Sequence, residues 1–299
     1  MINVCSSRKG KLLHGGRLSV IMDGKRTEGR QFMKNDLFSI GPFTVHGYGL
    51  MIAIGVLAAY YTVEYRAKKR EMEWEKVFPL AIWAVLGGFL GSKLLYMLTR
   101  LPDLIADPSL IAGSLKNGFV VYGGILGGIF SAWIFCRRSR MDFLKMFDLV
   151  MPSVALAQGF GRIGCFLAGC CYGMEVSGDN PIAVVFRGSA YAPNNVPLLP
   201  TQLISSALDF LNCGILLLLS KKLKTDGQVA GFYLIFYSIG RFILEFFRGD
   251  LIRGTVGKLT TSQFISVFTL AAGLLMVFAL PVIAKKKAAA GACEEQTED

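Results

Sequence analysis

From Phe43 to Ala284 the chain is a succession of apolar windows broken by short polar connections. Seven windows approach the roughly 20 residues that carry an α-helix across a bilayer. They cover 43–61, 77–98, 119–136, 147–168, 202–219, 229–247 and 262–284. The pattern predicts an all-α, polytopic membrane protein with seven transmembrane helices.

The basic residues orient it. Alternate connections hold five Lys and Arg in 62–76, four in 137–146, three in 220–228 and three at Lys285–Lys287. The opposite set, 99–118, 174–200 and 248–261, holds two, one and three. Fifteen against six marks the first set as cytoplasmic, because positive charge is retained on that side. An odd number of spans then puts the N-terminus outside and the C-terminus in the cytoplasm, in a bacterial-type plasma (inner) membrane.

Composition agrees. Of 299 residues 53% are hydrophobic and 18% charged, with a mean hydropathy of +0.49, which is too apolar for a soluble globule. The net charge of +11 sits in short clusters directly after apolar segments. It reads as topology rather than as a nucleic-acid-binding patch. The domain expected is 37–284, with a small extracytoplasmic cap at 174–199 and a cytoplasmic tail at 285–299. Residues 1–36 read as a disordered basic extension that holds no signal-peptide apolar run. Because a basic N-terminus resists translocation, Met33 is an alternative start.

Glycines recur inside the second, third and fourth windows, as Gly87, Gly88 and Gly91, then Gly123, Gly124, Gly127 and Gly128, then Gly159, Gly161 and Gly164. Small residues let helix backbones approach in lipid, and near Arg162 such an approach also brings backbone amides toward a bound anion. The polar residues at membrane depth are more telling: His46, Tyr48, Lys93, Tyr96, Tyr122, Gln158, Arg162, Gln202, Asp209, Arg241, Glu245 and Gln263. Arg241 and Glu245 are four apart and share a helix face. Lys93, Arg162 and Arg241 outnumber the carboxylates, so a positive cavity is expected, open to the outer leaflet and suited to an anionic headgroup. Arginine grips phosphate through paired donors.

HGYGL at 46–50, GGFLGSKLLY at 87–96, VYGGILGG at 121–128, GRIGCFLAGCCYG at 161–173, PTQL at 200–203 and GRFILEFFR at 240–248 resemble, in order, the motifs of prolipoprotein diacylglyceryl transferases. The resemblance covers nearly all of 40–280. It implies transfer of diacylglyceryl from phosphatidylglycerol to the lipobox cysteine of a preprolipoprotein signal peptide, releasing glycerol phosphate. It further implies that Arg162 and Arg241 hold the lipid phosphate, that Glu245 orders Arg241, and that His46 and Tyr48 shape the headgroup cavity. Lys93, Gly161, Gly164 and Gln202 complete the expected lipid site. Fixed cations in a dry site stabilise a departing phosphate, and the chemistry calls for no metal and no cofactor.

The chain departs from the family pattern at four places, one of them Cys171, where an acidic residue is usual. Tyr122 and Leu199 stand where histidines are usual, and Cys165 where an asparagine is. Proton removal then falls to His46, to Tyr122 or to the incoming peptide. A transferase with the same donor and a different acceptor is the alternative these departures suggest. A lipid-binding or transporting membrane protein is another, although no internal repeat of the kind common in transporters is present. The C-x4-C-C spacing of Cys165, Cys170 and Cys171 matches no common metal pattern and reads first as packing.

Overall fold

The computed structural model describes residues 31–32, 36–40, 43–107, 113, 118–250 and 254–295. The expected basic extension up to residue 30, His14, the alternative start at Met33 and residues 296–299 lie outside the described residues.

Each expected window holds an α-helix: α1 Gly47–Lys69, α2 Val77–Thr99, α3 Val121–Arg138, α4 Phe143–Ala168, α5 Thr201–Leu219, α6 Gln228–Glu245 and α7 Thr261–Glu295; Phe43–His46, read as the start of the first window, is instead a β-strand paired antiparallel with Asp36–Ile40. Five of these regions, 47–69, 74–99, 143–168, 201–219 and 261–283, are long and apolar enough to cross a membrane by length and composition. The other two, α3 and α6, are 18 residues each. Two helices overrun their apolar windows. Hydropathy falls after Tyr61, but α1 continues to Lys69, because the residues that follow are mostly sound helix formers. Likewise α7 runs through the Lys285–Lys287 cluster.

The helices associate mainly as three pairs, α1 with α4, α2 with α3 and α6 with α7, while α5 packs on α4 and more lightly on α6. Glycine explains the α2–α3 pair. A methyl group at Gly91 would strike the carbonyl of Gly123 and the backbone of Gly127, and one at Gly127 would strike the carbonyl of Gly87. Ser131 adds a hydrogen bond to the Trp83 carbonyl at 2.8 Å. Close backbone approach supplies the dispersion contacts that lipid-facing side chains alone do not.

At the basic end, buried polar groups tie the pairs together. Asp148 of α4 accepts from Gly227 N and Ala230 N, both at 2.8 Å, so a carboxylate from a neighbouring helix satisfies the first turn of α6. Arg66 belongs to the segment read from sequence as a connection, yet it is buried and donates to the Leu149 carbonyl. At the opposite end lies the cap. The strand Val184–Phe186 pairs antiparallel with Pro197–Leu198 and parallel with Gln31–Phe32. Phe186 is fully buried there against Phe166, Ala192 and Leu198.

Candidate active site

Three helix ends meet beneath the cap. Helix α4 stops at Ala168, and Gly169 takes the left-handed conformation that closes it, with φ 73°. Gly169 N donates to Phe166 O and Cys170 N to Cys165 O, both at 3.1 Å, the paired bonds of a Schellman cap. The chain then runs between the start of α5 and the end of α6. Gly173 N donates to Leu199 O at 3.1 Å and Leu199 N to Met174 O at 3.0 Å. On the other side Gly249 N donates to Tyr172 O at 3.1 Å and Met174 N to Phe247 O at 2.9 Å. This backbone lattice fixes the relative positions of side chains distant in sequence.

The lattice frames a narrow cleft lined by Arg162 of α4, Gln202 and Ser205 of α5, Arg241 of α6, and Arg248 and Cys171 of the connections. Arg241 pairs with Glu245 one turn on, Nη2 to Oε2 at 2.7 Å, and the same nitrogen donates to Ser262 Oγ of α7 at 2.8 Å. Asp209 of α5 is buried within electrostatic reach of Arg162. Gln202 is 1% exposed, and its Nε2 donates to the Cys170 carbonyl at 2.9 Å. Its Oε1 has no hydrogen-bond partner among the described residues.

Arg248 is the member that reading the chain did not single out. It is held by Asp250 through Nε to Oδ1 at 2.8 Å and Nη2 to Oδ2 at 2.7 Å. Burial works against its charge, but the hydrogen bonds to Asp250 together with the nearby Asp250 and Cys171 groups outweigh that and raise its pKa above the ordinary arginine value. The signal for it lay three residues beyond Glu245, in a basic residue following Phe246 and Phe247.

A second space opens from the same residues. A cavity of about 510 Å³ runs between α5 and α6, lined chiefly by apolar side chains such as Leu208, Leu211, Ile239 and Ile243. It shares Ser205, Arg241 and Leu244 with the arginine cleft. A charged slot thus continues into an apolar one.

The remaining expected site residues divide. Tyr48, in the first turn of α1, backs onto Gly164 of α4 and interacts electrostatically with Arg162. Gly164 therefore serves close approach, while Gly161 faces open space. Both lie inside α4, where backbone amides bond within the helix. His46 is exposed at the mouth of α1. Lys93 does not line the cleft: it donates to the Gly118 carbonyl at 3.2 Å and lies over the Phe119 ring at 4.4 Å. Tyr122 sits in the first turn of α3 and is also outside the cleft lining.

The sequence profile of the family described as "Prolipoprotein diacylglyceryl transferase" matches residues 35–279. A phosphatidylglycerol–prolipoprotein diacylglyceryl transferase of Clostridium tetani is 49% identical over 244 residues, 82% of this chain and 96% of the relative. One from Clostridium perfringens, named as the second such enzyme, is 44% identical over 78% of this chain and 90% of its own length. One from Pseudomonas aeruginosa is 36% identical over 81% and 91%. With a match that extends from the first span to the last and takes in every residue of the arginine cleft, this chain belongs to the prolipoprotein diacylglyceryl transferase family.

Proposed function

We propose that the chain transfers the diacylglyceryl group of phosphatidylglycerol to the lipobox cysteine thiol of a preprolipoprotein. The observation that carries this reading is the continuity between the arginine cleft and the apolar cavity. A phospholipid has the same division, with an anionic phosphate at one end and acyl chains at the other. The cavity takes the acyl chains, and Arg162, Arg241 and Arg248 surround the phosphate. Gln202 Oε1 supplies an acceptor for a hydroxyl of the glycerol headgroup.

In the reaction the cysteine sulfur forms a bond to the glyceryl carbon that carries the phosphate ester. The carbon–oxygen bond breaks, its electron pair leaves on glycerol phosphate, and the thiol proton passes to a base. Arg162 and Arg241 stabilise the charge that builds on the leaving phosphate, and Glu245 keeps Arg241 in place. His46 and Tyr122 are the candidate bases, and Tyr48 shapes the mouth of the site. Lys93, which lies outside the cleft lining, acts on the headgroup at longer range.

In this reading all seven helices cross the inner membrane, with the N-terminus outside, the Lys285–Lys287 cluster inside and the cleft toward the outer leaflet. Residues 37–284 form the transferase domain and 174–199 its extracytoplasmic cap. A second reading, the same donor with a different acceptor, is favoured by Tyr122, Leu199 and Cys165, where the family pattern differs. The test is transfer of label from phosphatidylglycerol, labelled in its diacylglyceryl moiety, to a synthetic lipobox peptide by the purified protein. Label on the cysteine peptide, absent from a serine peptide and lost with Arg162→Ala, is the expected result. Binding of the lipid without labelling of the peptide would exclude the lipobox acceptor.

A further inference from the structure

Three thiols converge beside the arginine cleft, and the proposed transfer uses none of them. The Sγ atoms of Cys165, Cys170 and Cys171 all lie within 4.8 Å of one another, and each residue is half-buried. Their spacing along the chain resembles no familiar metal pattern, because the ligands are brought together by a helix cap rather than by a hairpin. In a Schellman cap the residue three positions before the helix terminus meets the residue two positions beyond it. Those positions are Cys165 and Cys170, joined by the bond from Cys170 N to Cys165 O at 3.1 Å. Cys171 then turns back toward them through a left-handed backbone, φ 61°, which is unfavourable for a residue with a Cβ. The turn is pinned on three sides. Gln202 Nε2 donates to the Cys170 carbonyl at 2.9 Å, Thr201 Oγ1 to the Cys171 carbonyl at 3.1 Å and Gly249 N to the Tyr172 carbonyl at 3.1 Å.

We propose that Cys165, Cys170 and Cys171 form a trithiolate site for a soft divalent cation such as zinc. Zinc–sulfur bonds of about 2.3 Å in a tetrahedron place sulfurs roughly 3.8 Å apart, so small side-chain rotations bring the three into register. Three protein ligands leave the fourth position to water. The surrounding arginines do not oppose this. Three thiolates and one divalent cation make an anionic complex, and Arg162 and Arg248 line the same cleft as Cys171, within electrostatic reach of it. The guanidinium groups favour the thiolates that metal binding requires. Ligation clamps the turn that closes the arginine cleft, because Cys171 lines both. Cys136 and Cys213 are buried in separate hydrophobic clusters and take no part.

The experiment titrates cadmium chloride into the purified full-length protein in detergent, reduced and freed of metal, and follows thiolate-to-cadmium charge-transfer absorption. Absorption saturating at about one cadmium per chain is expected. Cys165→Ser, Cys170→Ser and Cys171→Ser each weaken binding at least about tenfold. Cys136→Ser binds as the parent does. Each variant's melting temperature is measured without metal, so that a folding defect is separated from a lost ligand. No charge-transfer band at stoichiometric cadmium overturns the proposal. So does a band that survives Cys170→Ser and Cys171→Ser in folded protein.

Discussion

Arg241 and Glu245 form an ion pair of 2.7 Å within one turn of α6, and both side chains are buried, at 12% and 3% exposed. The same Arg241 nitrogen reaches Ser262 of α7 at 2.8 Å, so the pair also sets α6 against α7. Removing the carboxylate leaves a buried guanidinium without its counter-charge. Glu245→Ala is expected to lower stability by about 3–5 kcal/mol, measured by denaturant unfolding in detergent. Glu245→Gln is expected to fold but to bind phosphatidylglycerol in a less defined pose, seen as a lower kcat in the peptide-transfer assay.

Arg248 is gripped by Asp250 through two parallel hydrogen bonds, at 2.8 and 2.7 Å. Lysine keeps the charge but cannot reproduce the fork. Arg248→Lys is therefore expected to lose transfer almost as fully as Arg248→Ala. Arg162→Ala should cost more than either, about a hundredfold to a thousandfold in kcat, the scale for removing one group that stabilises developing charge. Single-turnover transfer rates for the three variants check the order.

Tyr122 stands where the family resemblance leads one to expect a histidine. Tyr122→Phe is expected to reduce kcat by about a hundredfold or more, the usual contribution of a positioned proton acceptor. Tyr122→His should retain transfer and move the limb of the pH–rate profile toward neutral pH, since imidazole titrates well below phenol. An unchanged rate for Tyr122→Phe would move the proton role to His46.

Asp148 is 6% exposed and satisfies two amides at the start of α6. With alanine there, both amides are buried and unpaired, at a cost of about 1–3 kcal/mol. Asp148→Asn keeps one acceptor oxygen and is expected to recover part of that loss. Because α4 carries Arg162 and α6 carries Arg241, Asp148→Ala should also weaken lipid binding at the far end. Thermal unfolding and a phosphatidylglycerol binding isotherm, measured together, test the coupling.

The α2–α3 interface predicts a contrast between glycines. Gly91→Ala drives a methyl group into the backbone of α3 and should destabilise by about 1–3 kcal/mol. Gly214 of α5 is exposed with open space beside it, so Gly214→Ala should stabilise by about 0.5–1 kcal/mol through helix propensity alone. Differential unfolding of the two variants is the check.

Much of this protein was legible in its sequence because the physics of a bilayer is written locally. A helix within lipid must satisfy its own backbone, so the apolar windows foretold where helices lie, five of them in regions long and apolar enough to cross a membrane. Arg241 and Glu245 were paired from their spacing, since residues four apart share a helix face. Arg162 stood out because a guanidinium among glycines and apolar residues demands a reason. The strand at Val184–Phe186 was visible in the apolar run IAVVF.

What the tertiary structure decided depends on residues far apart in the chain. Lys93 had the charge for the cleft and the depth for it, yet its helix pairs with α3, and its ammonium group finds Gly118 and Phe119 instead. Arg248 joined the cleft because Tyr172 and Met174 bond the backbone of Phe247 and Gly249, a contact across some seventy residues. Asp148 and the first turn of α6 met through packing that no periodicity announces. The three thiols looked scattered along C-x4-C-C until the helix cap at Gly169 folded them together. Local sequence determined which segments are helical and which charges are costly. Only the packing of helix ends determined which of those charges share one site, because electrostatic partnership is set by distance in space, which the chain's order does not specify.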